Sequence, residues 1–350
     1  MRVVYTSDHR LHDPQVEIER SAAQSPYEHG GRAEAIRAAL ETDPRFAIEP
    51  PTEWGVDPIE AVHDPGLLRI VAEGWAEYQK AFGPTREVIP DVFHLANLRL
   101  GMEPTHEPEH IGGRLGWWCY ETTTPLVDGT YRAARAAVDT ALTATQIVLD
   151  GDPVAYGLCR PPGHHASARL YGGYCFFNNA AIAAHHVAAT TGTKVVVLDV
   201  DYHHGNGTQQ IFYERDDVMY VSLHGDPARA YPYAVGFADE TGAGRGAGSN
   251  LNLPLPERLD DDGYLAALDR ACEAVERFGA STLVVSLGLD TFVTDPICDL
   301  GVTTEGFEVC GRRVRALGLP TVVLQEGGYD VEHLGENARR WLVGAAGPTA

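Results

Sequence analysis

The chain has 350 residues, and its 27 lysines and arginines against 49 aspartates and glutamates give a formal net charge of −22. Hydrophobic residues make up 44% and charged residues 22%, which is typical of a globular protein rather than a disordered one. The negative charge argues against a nucleic-acid-binding protein, because binding to phosphates requires a concentrated positive surface. It favours cationic small partners over acidic ones. The length allows one α/β domain, and we expect a single domain spanning residues 1–350.

The sequence also predicts where the protein resides. Nowhere do about eighteen consecutive apolar residues occur, so no membrane-spanning segment is predicted. The N-terminal sequence MRVVYTSDHR lacks the apolar core of a secretory signal. The six cysteines are widely spaced without a Cys-x-x-Cys pair, which indicates reduced, buried thiols rather than a disulfide or structural zinc framework. Together these features predict a cytoplasmic protein.

Short apolar and β-branched runs recur along the chain, and each ends in glycine or polar residues. Runs without polar alternation are typical of strands buried on both faces of a parallel sheet. The predicted strands are Val3–Tyr5, Val154–Cys159, Lys194–Val200, Val218–Leu223, Thr282–Leu287 and Thr321–Leu324. Helical patterns lie between them, at Tyr131–Leu149, Asn178–Ala189, Tyr264–Phe278 and Thr304–Leu317. This alternation predicts a three-layer α/β fold, in which function gathers beyond the carboxyl ends of the strands.

Two long segments break the alternation of strands and helices. Gly83–Trp118 is interrupted by proline, glycine and histidine without a clear period, and Gly225–Asn250 is rich in glycine and alanine. Loops of this length inside a compact domain are usually functional. We interpret the first as a loop insertion at about 83–118. Its Trp117 and Trp118 are too apolar to remain exposed without a partner.

Polar side chains follow four of the predicted strands at their carboxyl ends. His164 and His165 come after the strand at 154–159, and Asp290 comes after the strand at 282–287. The run from Asp199 to Asn206 overlaps and follows the strand at 194–200, and Tyr329 follows the last predicted strand. Because the carboxyl ends of parallel strands share one edge of the sheet, these side chains should converge. Such convergence argues against unrelated surface or capping roles.

Three of these side chains could bind a metal ion. Residues i and i+2 of an extended segment point to the same side, so Asp201 and His203 can reach a common ion. Asp290 would provide a third ligand from another strand. Three nitrogen and oxygen ligands leave coordination positions open, which is typical of a catalytic zinc site. No cysteine belongs to the group, and Fe(II) or Mn(II) is also compatible with these ligands.

Several longer motifs occur along the chain, in the order RPPGHH, YGGYCFFNNAA, LDVDYHHGNGTQ, SLHGDP, SLGLDTF and EGGY. In this order and spacing they resemble the histone deacetylase superfamily, and within it the bacterial acetylpolyamine amidohydrolases. The similarity begins at TSDHRLHDP and extends to EGGY, so it covers nearly the whole chain. It implies an arginase/deacetylase-like α/β fold, with a central, mostly parallel eight-stranded sheet and helices on both faces.

The resemblance also implies a role for each of the converging side chains. The implied zinc ligands are Asp201, His203 and Asp290, and the implied catalytic residues are His164, His165, Tyr329, Asp199 and Asn206. The reaction implied is metal-assisted amide hydrolysis, with His165 as general base and then general acid. Tyr329 would donate a hydrogen bond to the developing oxyanion. Asp199 and Asn206 would orient His164 and His165, respectively.

Further ligands and contacts are implied by the same resemblance. A structural potassium ion would be held by Asp199, Asp201, His203, Ser222 and Leu223, and a second monovalent ion by the carbonyls of Phe212, Arg215 and Val218. Tyr174 and Tyr231 occupy the positions of the channel walls, and Ile297 occupies a position at the rim. The predicted substrate contacts also include Gly173, Trp117 and Trp118.

The substrate expected from the resemblance is a small cationic N-acetylated amine such as acetylputrescine or acetylcadaverine, and a homodimer through the long loop would narrow the channel. However, the two acidic positions of polyamine-specific relatives are occupied here by Gly112 and Thr123. Glu107, Glu109 and Glu121 lie nearby but out of register. A deacylase of protein acetyl-lysine or of an acylated metabolite is therefore the alternative. The complete set of site residues argues against a non-catalytic binding protein, and the tandem histidines argue against a ureohydrolase.

Overall fold

The computed structural model describes residues 1–102 and 105–347 of the protein. Its strands are β1 (Arg2–Val4), β2 (Glu17–Glu19), β3 (Ala22–Gln24), β4 (Ala47–Glu49), β5 (Val154–Gly157), β6 (Val195–Asp199), β7 (Val218–Gly225), β8 (Asn250–Leu255), β9 (Thr282–Leu287) and β10 (Thr321–Gln325). Eight of them form one sheet in the order β4-β1-β5-β10-β9-β6-β7-β8, and every pairing in it is parallel. β2 and β3 form a separate antiparallel hairpin. The predicted α/β fold with an eight-stranded sheet is confirmed.

Helices cover both faces of the sheet. They are α1 (Gly31–Glu41), α2 (Asp57–Glu60), α3 (Pro65–Phe82), α4 (Ile111–Trp118), α5 (Thr130–Leu149), α6 (Asn179–Thr191), α7 (Asn206–Phe212), α8 (Asp261–Phe278), α9 (Thr304–Ala316) and α10 (Val331–Ala346). Side chains of α1, α8, α9 and α10 pack with Val196 and Leu198 on one face. Those of α5, α6 and α7 pack with Val195 and Val197 on the other face. Alternate residues of β6 thus enter opposite layers, as the period of a strand requires.

The segment at 83–118 differs from the loop expected from its composition. Residues 111–118 form α4, and Trp118 at its end is buried in a cluster with α3 and α5. The Trp118 indole donates a hydrogen bond to Glu107 Oε1 (2.8 Å), and the Trp117 ring packs against His94 with ring centroids 4.3 Å apart. Both tryptophans therefore find partners inside their own chain. Neither is left exposed without a partner, as the sequence predicts.

The described part of the chain contains no helix that is both long and apolar enough to cross a membrane.

Candidate active site

A cavity of about 390 Å³ opens at the carboxyl edge of the sheet. Its walls are unusually rich in tyrosine. The lining residues are Glu19, Arg20, Tyr27, Thr123, His165, Gly173, Tyr174, Tyr202, His203, Arg229, Ala230, Tyr231, Tyr233, Ile297 and Tyr329. Most of the polar residues predicted from the strand ends thus meet in or beneath one cavity. The hairpin residues Glu19 and Arg20 were not predicted, because nothing in their local sequence indicates that this hairpin reaches the cavity.

Asp201, His203 and Asp290 form a buried group at the base of this cavity. One ligand atom from each lies within 4.8 Å of the others, and His203 Nδ1 is 2.9 Å from Asp290 Oδ2. The arrangement follows from the topology, because β6 and β9 are neighbours and both aspartates follow their carboxyl ends. The structure therefore brings together the three ligands that the sequence predicts.

The backbone around this group packs closely against its carboxylates. A Cβ atom on Gly288 would lie 2.2 Å from Asp201 Oδ2, and one on Gly327 would lie 2.5 Å from Asp290 Oδ2. Burial and the nearby Asp201 charge raise the pKa of the Asp290 carboxyl to about 7. Two buried carboxylates beside one imidazole form a site whose repulsion a divalent cation relieves. The donor set, with its carboxylates held by a tight glycine cradle, thus fits zinc.

The tandem histidines have the two partners that the resemblance implied. His164 Nδ1 lies 3.1 Å from Asp199 Oδ2, and His165 Nδ1 lies 2.7 Å from Asn206 Oδ1. Burial and the neighbouring His164 and His203 charges lower the pKa of His165 well below its ordinary value. At His164, burial also opposes the charged form, but the Asp201 and Asp199 carboxylates outweigh it and raise the pKa to about 10.

Glu326, from the EGGY motif, supports the His164 backbone from below. Its Oε2 accepts hydrogen bonds from the amides of Gly163 (2.6 Å) and His164 (3.2 Å), and its Oε1 accepts one from Ser286 Oγ (3.1 Å). The carboxyl is completely buried, and burial raises its pKa to about 7. Glu326, which directly follows β10, therefore connects the loop after β5 with strand β9. This role is not evident from the sequence.

Tyr329 lines the same cavity as His165, and it is largely buried. Its backbone amide donates to Asp295 Oδ2 (2.7 Å), and the Arg32 guanidinium lies 4.6 Å from the centre of its ring. Arg32 also donates to the carbonyls of Glu326 and Gly328, both at 2.6 Å. The catalytic tyrosine candidate is therefore held by two residues, Arg32 and Asp295, that sequence reasoning missed.

The predicted channel residues divide into two groups. Gly173, Tyr174, Tyr231 and Ile297 line the cavity, and the Tyr231 ring packs edge-on against His165 with centroids 5.0 Å apart. Trp117 and Trp118 do not line this cavity; they pack in the cluster with α3 and α5. The Tyr231 hydroxyl donates to Tyr120 Oη (2.8 Å), so its polar group faces the protein.

The implied potassium ligands also lie close to the metal candidate. Asp199 on β6 and Ser222 on β7 are paired in register, and Leu223 follows on the same strand. All three are completely buried. Ser222 Oγ lies 2.7 Å from His224 Nδ1. The potassium ion itself stays a prediction.

The fold and the site together define a hydrolase that acts on amide bonds and has an arginase/deacetylase-like α/β architecture. Residues 26–344 match the histone deacetylase domain, and the chain belongs to the histone deacetylase family.

Three relatives illustrate the similarity. The chain is 39% identical over 347 residues to the acetylpolyamine amidohydrolase of Mycoplana ramosa, covering 99% of this chain and 100% of the relative. It is 40% identical over 348 residues to acetylpolyamine amidohydrolase 1 of Pseudomonas aeruginosa, covering 99% of each. The crystal structure of acetylpolyamine aminohydrolase from Burkholderia pseudomallei matches with a TM-score of 0.92 and 39% identity, covering 99% of this chain and 98% of that chain.

Proposed function

We propose that this protein is a zinc-dependent deacetylase of small N-acetylated amines, with acetylated diamines such as acetylputrescine or acetylcadaverine as its preferred substrates. The observation that carries the proposal is the convergence of Asp201, His203 and Asp290 with His165 and Tyr329 around one tyrosine-lined cavity. The full-length similarity to relatives named acetylpolyamine amidohydrolases supports the same substrate class.

Asp201, His203 and Asp290 would hold the zinc ion. When bound, zinc polarises the amide carbonyl and lowers the pKa of water to about 7. Because Asn206 presents its oxygen to His165 Nδ1, that nitrogen carries the proton and Nε2 keeps its lone pair. Its low pKa keeps His165 neutral, so Nε2 can accept the proton of the attacking water.

The later steps use the same side chains. The Tyr329 hydroxyl donates a hydrogen bond to the oxyanion as the carbonyl carbon becomes tetrahedral. His165 then returns its proton to the amide nitrogen, and the carbon–nitrogen bond breaks to give acetic acid and the free amine. The acid proton passes to the amine, so acetate and the ammonium form leave. His164, held by Asp199, remains a charged or hydrogen-bonding neighbour throughout these steps.

The cavity walls suit a slender alkyl chain that ends in a cation. The faces of tyrosine rings pack against methylene groups and attract ammonium groups by cation–π interactions. Tyr27, Tyr174 and Tyr233 lie along the walls, and Glu19 adds a carboxylate there. The two arginines of the lining are paired, Arg20 with Glu19 (3.4 Å) and Arg229 with Glu257. Thr123 also lines the cavity, where the resemblance places an acid in polyamine-specific relatives.

We also propose a homodimer formed through the segment at 83–118, and a structural potassium ion at the ligands named above. The support for the dimer is a row of exposed apolar side chains in this segment, comprising Val92, Leu95, Leu98 and Leu100. The support for potassium is the registered, buried pair of Asp199 and Ser222.

The test of the function is a comparison of kcat/KM for acetylputrescine, acetylcadaverine, acetylspermidine and an acetyl-lysine tripeptide, using the zinc-loaded protein. We expect the two acetylated diamines to exceed the tripeptide by about tenfold or more, which corresponds to about 1.4 kcal/mol of transition-state binding. Equal or faster turnover of the tripeptide would instead favour the lysine or metabolite deacylase.

A further inference from the structure

We propose that Glu121 is a positioning residue that sets the shape of the substrate channel. It lies between α4 and α5, shortly before Thr123 of the cavity lining. The inference rests on the proposed function only in the choice of substrates used to test it. Nothing in the sequence distinguishes Glu121 from the nearby Glu107 and Glu109, whereas the structure separates the three clearly.

The Glu121 carboxylate is occupied by donors from its own chain. Its Oε2 accepts hydrogen bonds from the amide and the hydroxyl of Thr123, the latter at 2.5 Å. Its Oε1 accepts hydrogen bonds from the Thr124 hydroxyl and from the Gly173 amide, the latter at 3.1 Å. Four donors converge on one carboxylate, and hydrogen bonds to an ionised group are stronger than neutral ones.

These hydrogen bonds hold the turn that carries Tyr174. The Tyr174 amide donates a hydrogen bond to Thr124 Oγ1 (2.7 Å). The same Thr124 hydroxyl donates to Glu121, so Glu121 orients the hydroxyl that accepts from Tyr174. Gly172 and Cys175 close the turn with a reciprocal pair of backbone hydrogen bonds, each 3.0 Å long. The segment at 121–124 and the turn at 172–175 are thus one hydrogen-bonded unit.

The turn needs this support because of its backbone conformation. Tyr174 has φ +65, a left-handed conformation that a residue with a bulky side chain rarely adopts. Such conformations persist when surrounding contacts enforce them, and they concentrate at functional sites. Here the conformation directs the Tyr174 ring into the cavity lining, where its centroid is 6.0 Å from that of Tyr329.

The same turn also lies against the proposed general base. A Cβ atom on Gly173 would be 2.4 Å from His165 Cδ2, so the backbone there forms the wall behind the imidazole. A shift of the turn would widen the channel on the side of His165 and Tyr174 together. Glu121 therefore acts on channel width through Gly173 and Tyr174, without itself belonging to the cavity lining.

A positioning role for Glu121 can be distinguished from direct binding of the substrate's distal ammonium group. An ammonium ligand would affect only charged substrates, whereas a positioning residue affects charged and neutral substrates alike. The test compares Glu121→Gln with Glu109→Gln, a matched control that removes the same charge from an exposed position in the preceding segment. Each variant is assayed with acetylputrescine and with N-butylacetamide, its uncharged counterpart.

We expect Glu121→Gln to lower kcat/KM about tenfold for both substrates, mainly through KM, because one acceptor of the carboxylate becomes an amide donor. Glu109→Gln should stay within about twofold of the parent protein, as exposed substitutions usually do. A loss confined to acetylputrescine would make Glu121 an ammonium ligand and overturn the proposal. Equal behaviour of the two variants would overturn it as well.

A binding measurement provides a readout that does not require turnover. Acetohydroxamate reaches only the metal ligands and the histidines, whereas a linear hydroxamate with a six-carbon chain also fills the channel. For zinc-loaded Glu121→Gln we expect about a tenfold higher Kd for the long hydroxamate and an unchanged Kd for the short one. Weaker binding of both would indicate general damage and contradict a role limited to the channel. If neither amide is hydrolysed by the parent protein, this result still tests Glu121 separately from the proposed function.

Two substitutions of Thr124 test whether its hydroxyl connects Glu121 to Tyr174. Thr124→Val removes the hydroxyl that joins Glu121 to Tyr174, and it should reproduce the long-hydroxamate defect. Thr124→Ser keeps the hydroxyl and should bind like the parent protein. The double variant Glu121→Gln, Thr124→Val should lose little beyond either single change, because both act through one turn. Fully additive losses would show that the two side chains act independently.

Discussion

At the scale of single residues, two adjacent histidines acquire different chemistry from their partners. His164 is paired with the carboxylate of Asp199, and His165 with the amide oxygen of Asn206. A carboxylate stabilises an imidazolium, whereas an amide oxygen mainly fixes the tautomer. Burial therefore dominates at His165, whose pKa is lowered, and is outweighed by carboxylates at His164, whose pKa is raised. The pair offers one imidazole suited to accept a proton and one suited to hold positive charge.

The hydroxyl of Tyr329 can be tested with a one-atom change. Tyr329→Phe keeps the ring that packs beside Arg32 and removes only the proposed oxyanion donor. We expect kcat for acetylputrescine to fall by about 10²–10³, the usual cost of losing one such donor, while Tm and zinc content stay unchanged. Tyr213→Phe is the control, because this tyrosine does not line the cavity and its variant should keep the parent rate. A Tyr329→Phe variant with nearly the parent rate would show that another group stabilises the oxyanion.

At the scale of elements, the six inner strands of the sheet are predicted from the sequence to within two residues. Their side chains are buried on both faces, which produces continuous apolar runs. The outer strands β4 and β8 were missed because both mix polar and apolar residues. β4 is also partly exposed, and β8 contains Pro254, which is tolerated at an edge. The helices α1, α2, α3, α4, α7 and α10 were also not predicted.

The same contrast holds for the site. Residues that directly follow a strand, such as His203 and Asp290, could be predicted because topology alone brings strand ends together. Arg32 and Asp295 could not, because they reach Tyr329 through folding that joins distant segments. Arg32 lies on α1, for example, and bonds the Glu326 carbonyl across 294 positions of sequence. Reacting groups are thus easier to predict from the sequence than the groups that hold them in place.

The close contact between the residues that follow β6 and β9 can be tested by a substitution. Gly288, just after β9, leaves no room for a side chain, since its Cβ would lie 2.3 Å from Asp201 Cα and still closer to the carboxylate. We expect Gly288→Ala to displace Asp201, to lower zinc content and activity together, and to cost about 1–3 kcal/mol of unfolding free energy. Gly30→Ala is the control, where the nearest atom would be 3.7 Å away. Full zinc occupancy in Gly288→Ala would contradict the proposed metal site.

At the scale of the whole molecule, two surface properties accompany the buried site. The net charge of −22 attracts cations towards the protein, which suits an acetylated amine with a free ammonium group. The segment at 83–118 concentrates exposed apolar side chains, with Leu98 72% and Leu100 82% exposed. Contiguous apolar patches on a soluble protein usually mark an interaction surface. The segment therefore supports an interface with a second copy of the chain.

The proposed dimer can be tested by placing charge on this patch. Leu98→Glu with Leu100→Glu adds two like charges to each copy, so apposed patches would repel and lose their apolar contact. We expect light scattering after size-exclusion chromatography to give twice the chain mass of 37.9 kDa for the parent protein and the chain mass for the variant. Tm at high dilution should be similar, because exposed substitutions change stability by only about 0.5 kcal/mol. Val16→Glu, also exposed but outside the segment, should remain dimeric. A monomeric parent protein, or a variant that keeps the double mass, would contradict a dimer formed through this segment.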